Sequence, residues 1–339
     1  MNEKTLNETA LEMVAEGRGI LAADESTGTI KKRFDQIGVE NTEAHRRAYR
    51  NMLFTTPGFE QHTSGVILFE ETLFQSSVDG EVPFPKLLAD KGVIPGIKVD
   101  KGAKPLAGGG DAETITEGLD GLRDRLSQYR EAGARFAKWR AVIHINEEAP
   151  SDYAIHVNAH ALARYAALCQ EADIVPIVEP EVLMDGDHSI EVCAEITDVT
   201  LESVFAELSM QDVLLEGMIL KPNMVVPGMK CATQNSVQEV AEATLSVLRR
   251  RVPAAVPGIA FLSGGQSDQL ATAHLNAMNQ IGGNPWKLTF SYGRALQAAA
   301  LRAWNGSDLE AGKVAHLHRA RMNGLAAQGQ WDEAQEKAA

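Results

Sequence analysis

Eight short apolar runs recur along the chain, nearly all of them separated by stretches of helical periodicity. That alternation limits the fold more than any other feature. The runs begin at Arg18, Gly65, Val93, Phe136, Ile174, Gly217, Gly258 and Lys287. Between and around them, residues 4–17, 42–55, 84–91, 113–132, 152–171, 190–210, 237–248, 267–280, 294–304 and 308–327 place apolar residues at three- and four-residue spacing. Strands alternating with helices imply parallel pairing through right-handed crossovers. Eight such units predict a closed (β/α)8 barrel. An open doubly wound sheet is the competing fold, but no G-x-G-x-x-G turn follows the first run. Pro95, Pro176, Pro180 and Pro222 conflict with central strands, because proline cannot donate to a ladder.

The runs end in charge. Asp24, Glu70, Lys98, Lys138 with Arg140, Glu179 with Glu181, Lys221, Ser263 and Arg294 stand at or just beyond the carboxyl ends. Active sites of such barrels sit on that face. Residues two apart share a strand face, so Asp24 and Ser26, Lys98 and Asp100, Lys138 and Arg140, and Glu179 and Glu181 point together. With strands consecutive around the barrel, the fifth-strand carboxylates fall between the fourth-strand cations and Lys221. A salt-bridge network that only compensates itself is the competing explanation. Buried charge is costly even when paired, however, and its concentration at one barrel end points to function. The surplus of cations (Lys98, Lys138, Arg140, Lys221 and Arg294) predicts an anionic ligand.

Lys221 closes the sixth run and precedes Pro222. Burial disfavours a charged amine, and a neutral one can attack a carbonyl to form a Schiff base. A lysine at a strand end can equally reach solvent. Ser263, Gly264 and Gly265 end the seventh run and are expected to open the next helix; Gly293 and Arg294 do the same after the eighth. Glycine backbone amides at a helix start suit a phosphate, and phosphate sites of barrels are often built after strands seven and eight. No metal site is expected: His156 and His160 are four apart but lack the glutamate of H-E-x-x-H.

Bulk properties set the remaining limits. The 339 residues carry a net charge of −14, which argues against a general nucleic-acid binder. No run has the length and apolar character of a membrane span. Three scattered cysteines, Cys169, Cys193 and Cys231, and a polar N-terminus fit a reducing cytoplasm. One barrel domain over 1–339 is expected, with a short C-terminal tail from about residue 328.

Seven stretches in order resemble class I fructose-1,6-bisphosphate aldolases, the metal-independent Schiff-base type. They are 19–28 (GILAADESTG), 96–102 (GIKVDKG), 136–140 (FAKWR), 177–181 (IVEPE), 220–224 (LKPNM), 261–265 (FLSGG) and 289–297 (TFSYGRALQ). The resemblance implies a sugar-phosphate substrate, no cofactor and a homotetramer. Lys221 matches the Schiff-base lysine, Glu179 the general acid/base with Glu181 beside it, and Asp24 the acid at the hydroxyl next to the cleaved bond. Lys138 matches a lysine that keeps Lys221 reactive. Ser263, Gly264, Gly265, Ser291, Gly293 and Arg294 match the site of the phosphate next to the ketone. Ser26, Thr29, Arg33, Lys98 and Arg140 match residues around the sugar chain and the far phosphate. Thr29 keeps a hydroxyl where many relatives have serine, and Glu70 replaces a frequent histidine. Many relatives end in a tyrosine implicated in proton exchange. No tyrosine follows Tyr292 here, so that role is expected to pass to another group or to water, or the step to be slow. Another Schiff-base aldolase and a non-catalytic sugar-phosphate-binding scaffold are the alternative functions.

Overall fold

The computed structural model describes residues 1–145 and 150–337; the last two residues of the expected tail lie outside them. Among these residues ten strands form: β1 (Gly19–Ala23), β2 (Thr63–Leu68), β3 (Ile94–Lys98), β4 (Ala103–Pro105), β5 (Thr114–Thr116), β6 (Phe136–Ile143), β7 (Val175–Val182), β8 (Ile219–Leu220), β9 (Gly258–Phe261) and β10 (Lys287–Tyr292). Eight of them close into a barrel in chain order, β1-β2-β3-β6-β7-β8-β9-β10 and back to β1. Every barrel pairing is parallel. The expected (β/α)8 architecture is therefore the one observed.

The interior is built in layers along the two-residue period. Low in the barrel, Ile20, Ile67, Phe136, Val175, Ile177, Ile219 and Ala260 form a buried apolar cluster. The first helix, Glu3–Met13, covers it with Leu6, Ala10 and Met13. Gly96 makes room for this layer, since a Cβ there would come within 2.2 Å of two Phe136 ring carbons. One step higher, the same strand faces turn charged. Ile20 is followed at two-residue steps by Ala22 and Asp24, Phe136 by Lys138 and Arg140, Ile177 by Glu179 and Glu181, and Ile219 by Lys221; those charged residues line the upper cavity. The opposite faces pack outward, as Trp139 does by stacking on Tyr165 of the helix Asp152–Glu171 at 5.6 Å.

Three expectations on local structure change. Residues 113–132 are not one helix: β4 and β5 form an antiparallel hairpin, and the helix runs only from Leu122 to Glu131. The β-branched run Thr114-Ile115-Thr116 favours a strand, and Gly118 and Gly121 adopt positive φ between it and the helix. A short helix, Thr27–Asp35, follows β1 and is capped by Ser26. Its buried face is only Ile30 and Phe34, too little to show as a periodic stripe. The sixth run pairs as a strand over just Ile219–Leu220, after a 3-10 turn at Leu215–Gly217.

For Pro176 and Pro180 the conflict resolves at that short strand. In a parallel ladder, alternate residues face opposite neighbours. Val175 and Leu183 donate towards β6, at Arg135 O and Ile143 O, while Val178 O accepts from Lys221 N on the other side at 2.8 Å. Pro176 and Pro180 share the Val178 side, so their missing donors face β8, which offers little ladder. Where β8 stops, the Asn223 side chain takes over. Its Oδ1 accepts from Val182 N at 3.0 Å and its Nδ2 donates to Thr197 Oγ1 at 3.1 Å.

Candidate active site

A cavity of about 580 Å³ opens at the carboxyl ends of the barrel strands. Its floor is an ordered row of charge. Glu179, at the end of β7, stands between two lysines: Lys221 Nζ lies 3.1 Å from its Oε1 and Lys138 Nζ 3.5 Å from its Oε2. All three side chains are buried. Lys138 also donates to Asp24 Oδ2 at 2.8 Å and lies 3.8 Å from Asp100 Oδ2. Lys98 sits 2.6 Å from Asp100 Oδ1. Arg140 pairs with Glu181. The fifth-strand carboxylates do lie between the fourth-strand cations and Lys221.

The electrostatics follow from this order. Burial pushes the Asp24 carboxyl up, but the surrounding charges of Lys138, Lys221 and Lys98 outweigh it and hold it at about 2. Burial acts to lower Lys138, yet Asp24, Glu179 and Asp100 together carry it well above the usual lysine range. Arg140 is likewise raised against its burial, chiefly by Glu181. Asp24 and Lys138 are thus a fixed anion and a fixed cation at neutral pH.

The wall after β9 and β10 carries donors. Ser263, Gly264, Ser291, Gly293 and Arg294 line the cavity. Ser291 is buried, and its Oγ has no hydrogen-bond partner. A buried hydroxyl left unpaired costs free energy, and this one sits on the cavity wall. The helix Arg294–Trp304 starts directly at Gly293, with no side-chain cap on its first N–H groups. The Ser263–Gly265 turn differs from expectation. It does not open a helix; the next one starts at Asp268, capped by Ser267. Gly265 lies behind the lining, at φ +72°, where a Cβ would overlap Met184 Cγ. A Cβ on Gly264 would come within 2.7 Å of Met184 Cε and 3.2 Å of Glu181 Oε1. The two glycines let the turn close onto Met184 and Glu181.

Ser26, Thr29, Arg33, Lys98 and Arg140 line the same cavity. Ser26 Oγ and Thr29 Oγ1 are 3.1 Å apart at the start of the helix Thr27–Asp35. Arg33 pairs with Glu25, and its Nη2 lies 3.8 Å from where a Gly293 Cβ would stand. It therefore reaches the Gly293 corner. His156 and His160 lie away from the cavity; both face Glu207, at 3.5 and 3.0 Å.

Comparison with known proteins shows the family. A profile described as fructose-bisphosphate aldolase class-I, glycolytic, matches residues 5–339. The chain belongs to the class I fructose-bisphosphate aldolase family. It is a lyase that cleaves fructose 1,6-bisphosphate, a sugar-phosphate substrate. A probable fructose-bisphosphate aldolase class 1 of Xanthomonas campestris pv. campestris is 59% identical over 335 residues, covering 98% of this chain and 99% of the relative. Human fructose-bisphosphate aldolase C is 54% identical over 334 residues, covering 97% and 91%. Among solved structures, the fructose-bisphosphate aldolase of Plasmodium falciparum, in a ternary complex with TRAP and a small-molecule inhibitor, superposes with a TM-score of 0.95. It is 51% identical over 97% of this chain and 96% of that one.

Three groups of this aldolase's site escaped sequence reasoning. Asp100 was visible only as a face-mate of Lys98, yet it touches both Lys98 and Lys138. Glu25 gathers Arg33 and the Gln297 amide, the latter at 2.8 Å, while Gln297 Nε2 also donates to Ala22 O at 2.7 Å. Lys101, Gly102 and Ala103 line the cavity mouth because the β4–β5 hairpin folds there. Residues two apart before a glycine gave no signal of that turn.

Proposed function

We propose that Lys221 is the amine that forms the Schiff base with the substrate ketone, and that Glu179 carries its protons. The observation that carries this reading is the position of Glu179 between Lys221 and Lys138. A carboxylate at 3.1 Å can take a proton from the ammonium and return one to the departing water of the carbinolamine. Lys138, fixed as a cation, faces the other oxygen of the same carboxylate. The iminium then draws electrons as the central carbon–carbon bond breaks. Asp24, held at about 2, accepts a hydrogen bond from the substrate hydroxyl more readily than its proton. That leaves Glu179 to remove the proton. The enamine is reprotonated and hydrolysed, which frees Lys221 and dihydroxyacetone phosphate.

The ketone-side phosphate is assigned to Ser263, Gly264, Ser291, Gly293 and Arg294, with Gly265 shaping the turn. The unpaired Ser291 hydroxyl and the uncapped helix start support this placement. Lys98, Arg140, Ser26 and Thr29 are assigned to the sugar chain and far phosphate, with Arg33 between the two ends and Glu181 holding Arg140. The same reading takes the protein as a cytoplasmic homotetramer, which sedimentation would check. No helix among the described residues is long and apolar enough to cross a membrane. The decisive assay is Lys221→Arg, which keeps the charge and removes the nucleophile. Activity should fall by at least about 10³-fold, and near-normal turnover would refute the assignment.

A further inference from the structure

Glu70 and Lys101 face each other at the cavity mouth and take no part in the steps above. Both line the cavity that holds Lys98 and Arg140. Glu70 follows β2, and its Oε1 accepts from Tyr129 OH at 2.6 Å. Tyr129 is buried in the helix Leu122–Glu131. From the same helix, Arg125 donates to Val99 O at 3.0 Å and stands 3.5 Å from Tyr129 OH. The Tyr129 hydrogen bond keeps the Glu70 carboxyl below its ordinary range, helped by Lys101. Glu70 is therefore a fixed anion. Lys101 Nζ is 3.3 Å from the other oxygen, Glu70 Oε2, and is half exposed. Its backbone is tied down, with Lys101 N donating to Glu117 O at 2.8 Å.

The asymmetry of this pair matters. Glu70 is held by a buried tyrosine on one side, whereas Lys101 reaches it along a flexible stem. A dianionic phosphate entering at the Lys98–Arg140 end meets one cation already neutralised and one carboxylate that cannot withdraw. We infer that Lys101 is a further phosphate-binding residue at the far end of the substrate, and that Glu70 is its resting counter-ion and competes with that phosphate. This rests on the assignment of the far phosphate to Lys98 and Arg140. The pair sets how strongly the enzyme prefers a bisphosphate over a substrate lacking the second phosphate. It also weakens retention of the phosphorylated aldehyde product, because Glu70 recovers Lys101 as the product leaves.

The test is the ratio of KM for fructose 1-phosphate to KM for fructose 1,6-bisphosphate, measured on Lys101→Met, Glu70→Gln and Lys98→Met, with thermal midpoints to confirm folding. Lys101→Met should lower the ratio by about fivefold and Glu70→Gln should raise it by about threefold, as expected for a partly exposed charge pair. Lys98→Met should lower it as well. Opposite movement in the Lys101 and Glu70 variants upholds the inference. If Lys98→Met lowers the ratio while the other two leave it unmoved, or move it the same way, this inference fails alone. If none of the three moves the ratio, the far-phosphate assignment has failed and the inference falls with it.

Discussion

Lys221 Nζ and Glu179 Oε1 lie 3.1 Å apart in a buried pocket, with the second oxygen of the same carboxylate turned to Lys138. One carboxylate thus faces both the proposed nucleophile and a second buried lysine. Glu179→Gln preserves the shape and removes the proposed proton carrier. kcat should fall by about 10²- to 10⁴-fold, the usual worth of a general acid/base, with a much smaller change in KM. Steady-state kinetics in the cleavage direction check this; a change confined to KM would contradict the role.

Asp24 links the site to stability. Its carboxyl is at about 2 in the folded protein, against about 3.9 for a free aspartate. A depressed folded-state value means the stabilisation is complete above pH ~4 and is lost as the pH falls towards 2. The amount is about 2.5 kcal/mol. Urea unfolding of the wild type and Asp24→Asn at pH 6 and pH 3 should show the gap between them narrowing with acid. A gap independent of pH would show that Lys138 does not hold Asp24 in this way.

The charged strand ends could be read from the chain because period two and burial both act locally. Phe136, Lys138 and Arg140 share a face whatever surrounds them, and so do Ile177, Glu179 and Glu181. The hairpin of β4 and β5 could not. Leu119, Leu122, Leu126 and Tyr129 extend a helical spacing backwards, and only the left-handed glycines at 118 and 121 break it. Contacts made by distant segments were out of reach for a different reason. Glu25 with Gln297 and Lys101 with Glu70 depend on closure of the barrel and on a loop path, and neither leaves a trace in local spacing.

Gly265 closes the turn proposed to hold the ketone-side phosphate, at φ +72° against Met184. Gly265→Ala should cost about 1–2 kcal/mol from the left-handed backbone alone, and more from the clash with Met184. Adding Met184→Ala should recover the clash and leave the backbone cost. Denaturant midpoints of the two variants measure this, and KM for dihydroxyacetone phosphate in the synthesis direction should rise in parallel. Full recovery in the double variant would mean that the backbone at 265 is unstrained.

Gly96 makes room for the Phe136 ring in the lower apolar layer. Gly96→Ala should destabilise by about 1–3 kcal/mol, the range for overpacking a dense core. Phe136→Leu in that background should restore part of the loss, since the shorter side chain clears the added methyl. Thermal unfolding of the single and double variants tests the layer; additive losses would show that the two positions do not meet.

In the proposed mechanism Lys221 becomes covalently joined to the substrate ketone. The most direct measurement is borohydride reduction in the presence of dihydroxyacetone phosphate, followed by peptide mass mapping. A stable adduct on the peptide bearing Lys221, absent from Lys221→Met, is the expected result. An active enzyme that gives no adduct there, or an adduct that persists in Lys221→Met, would contradict it.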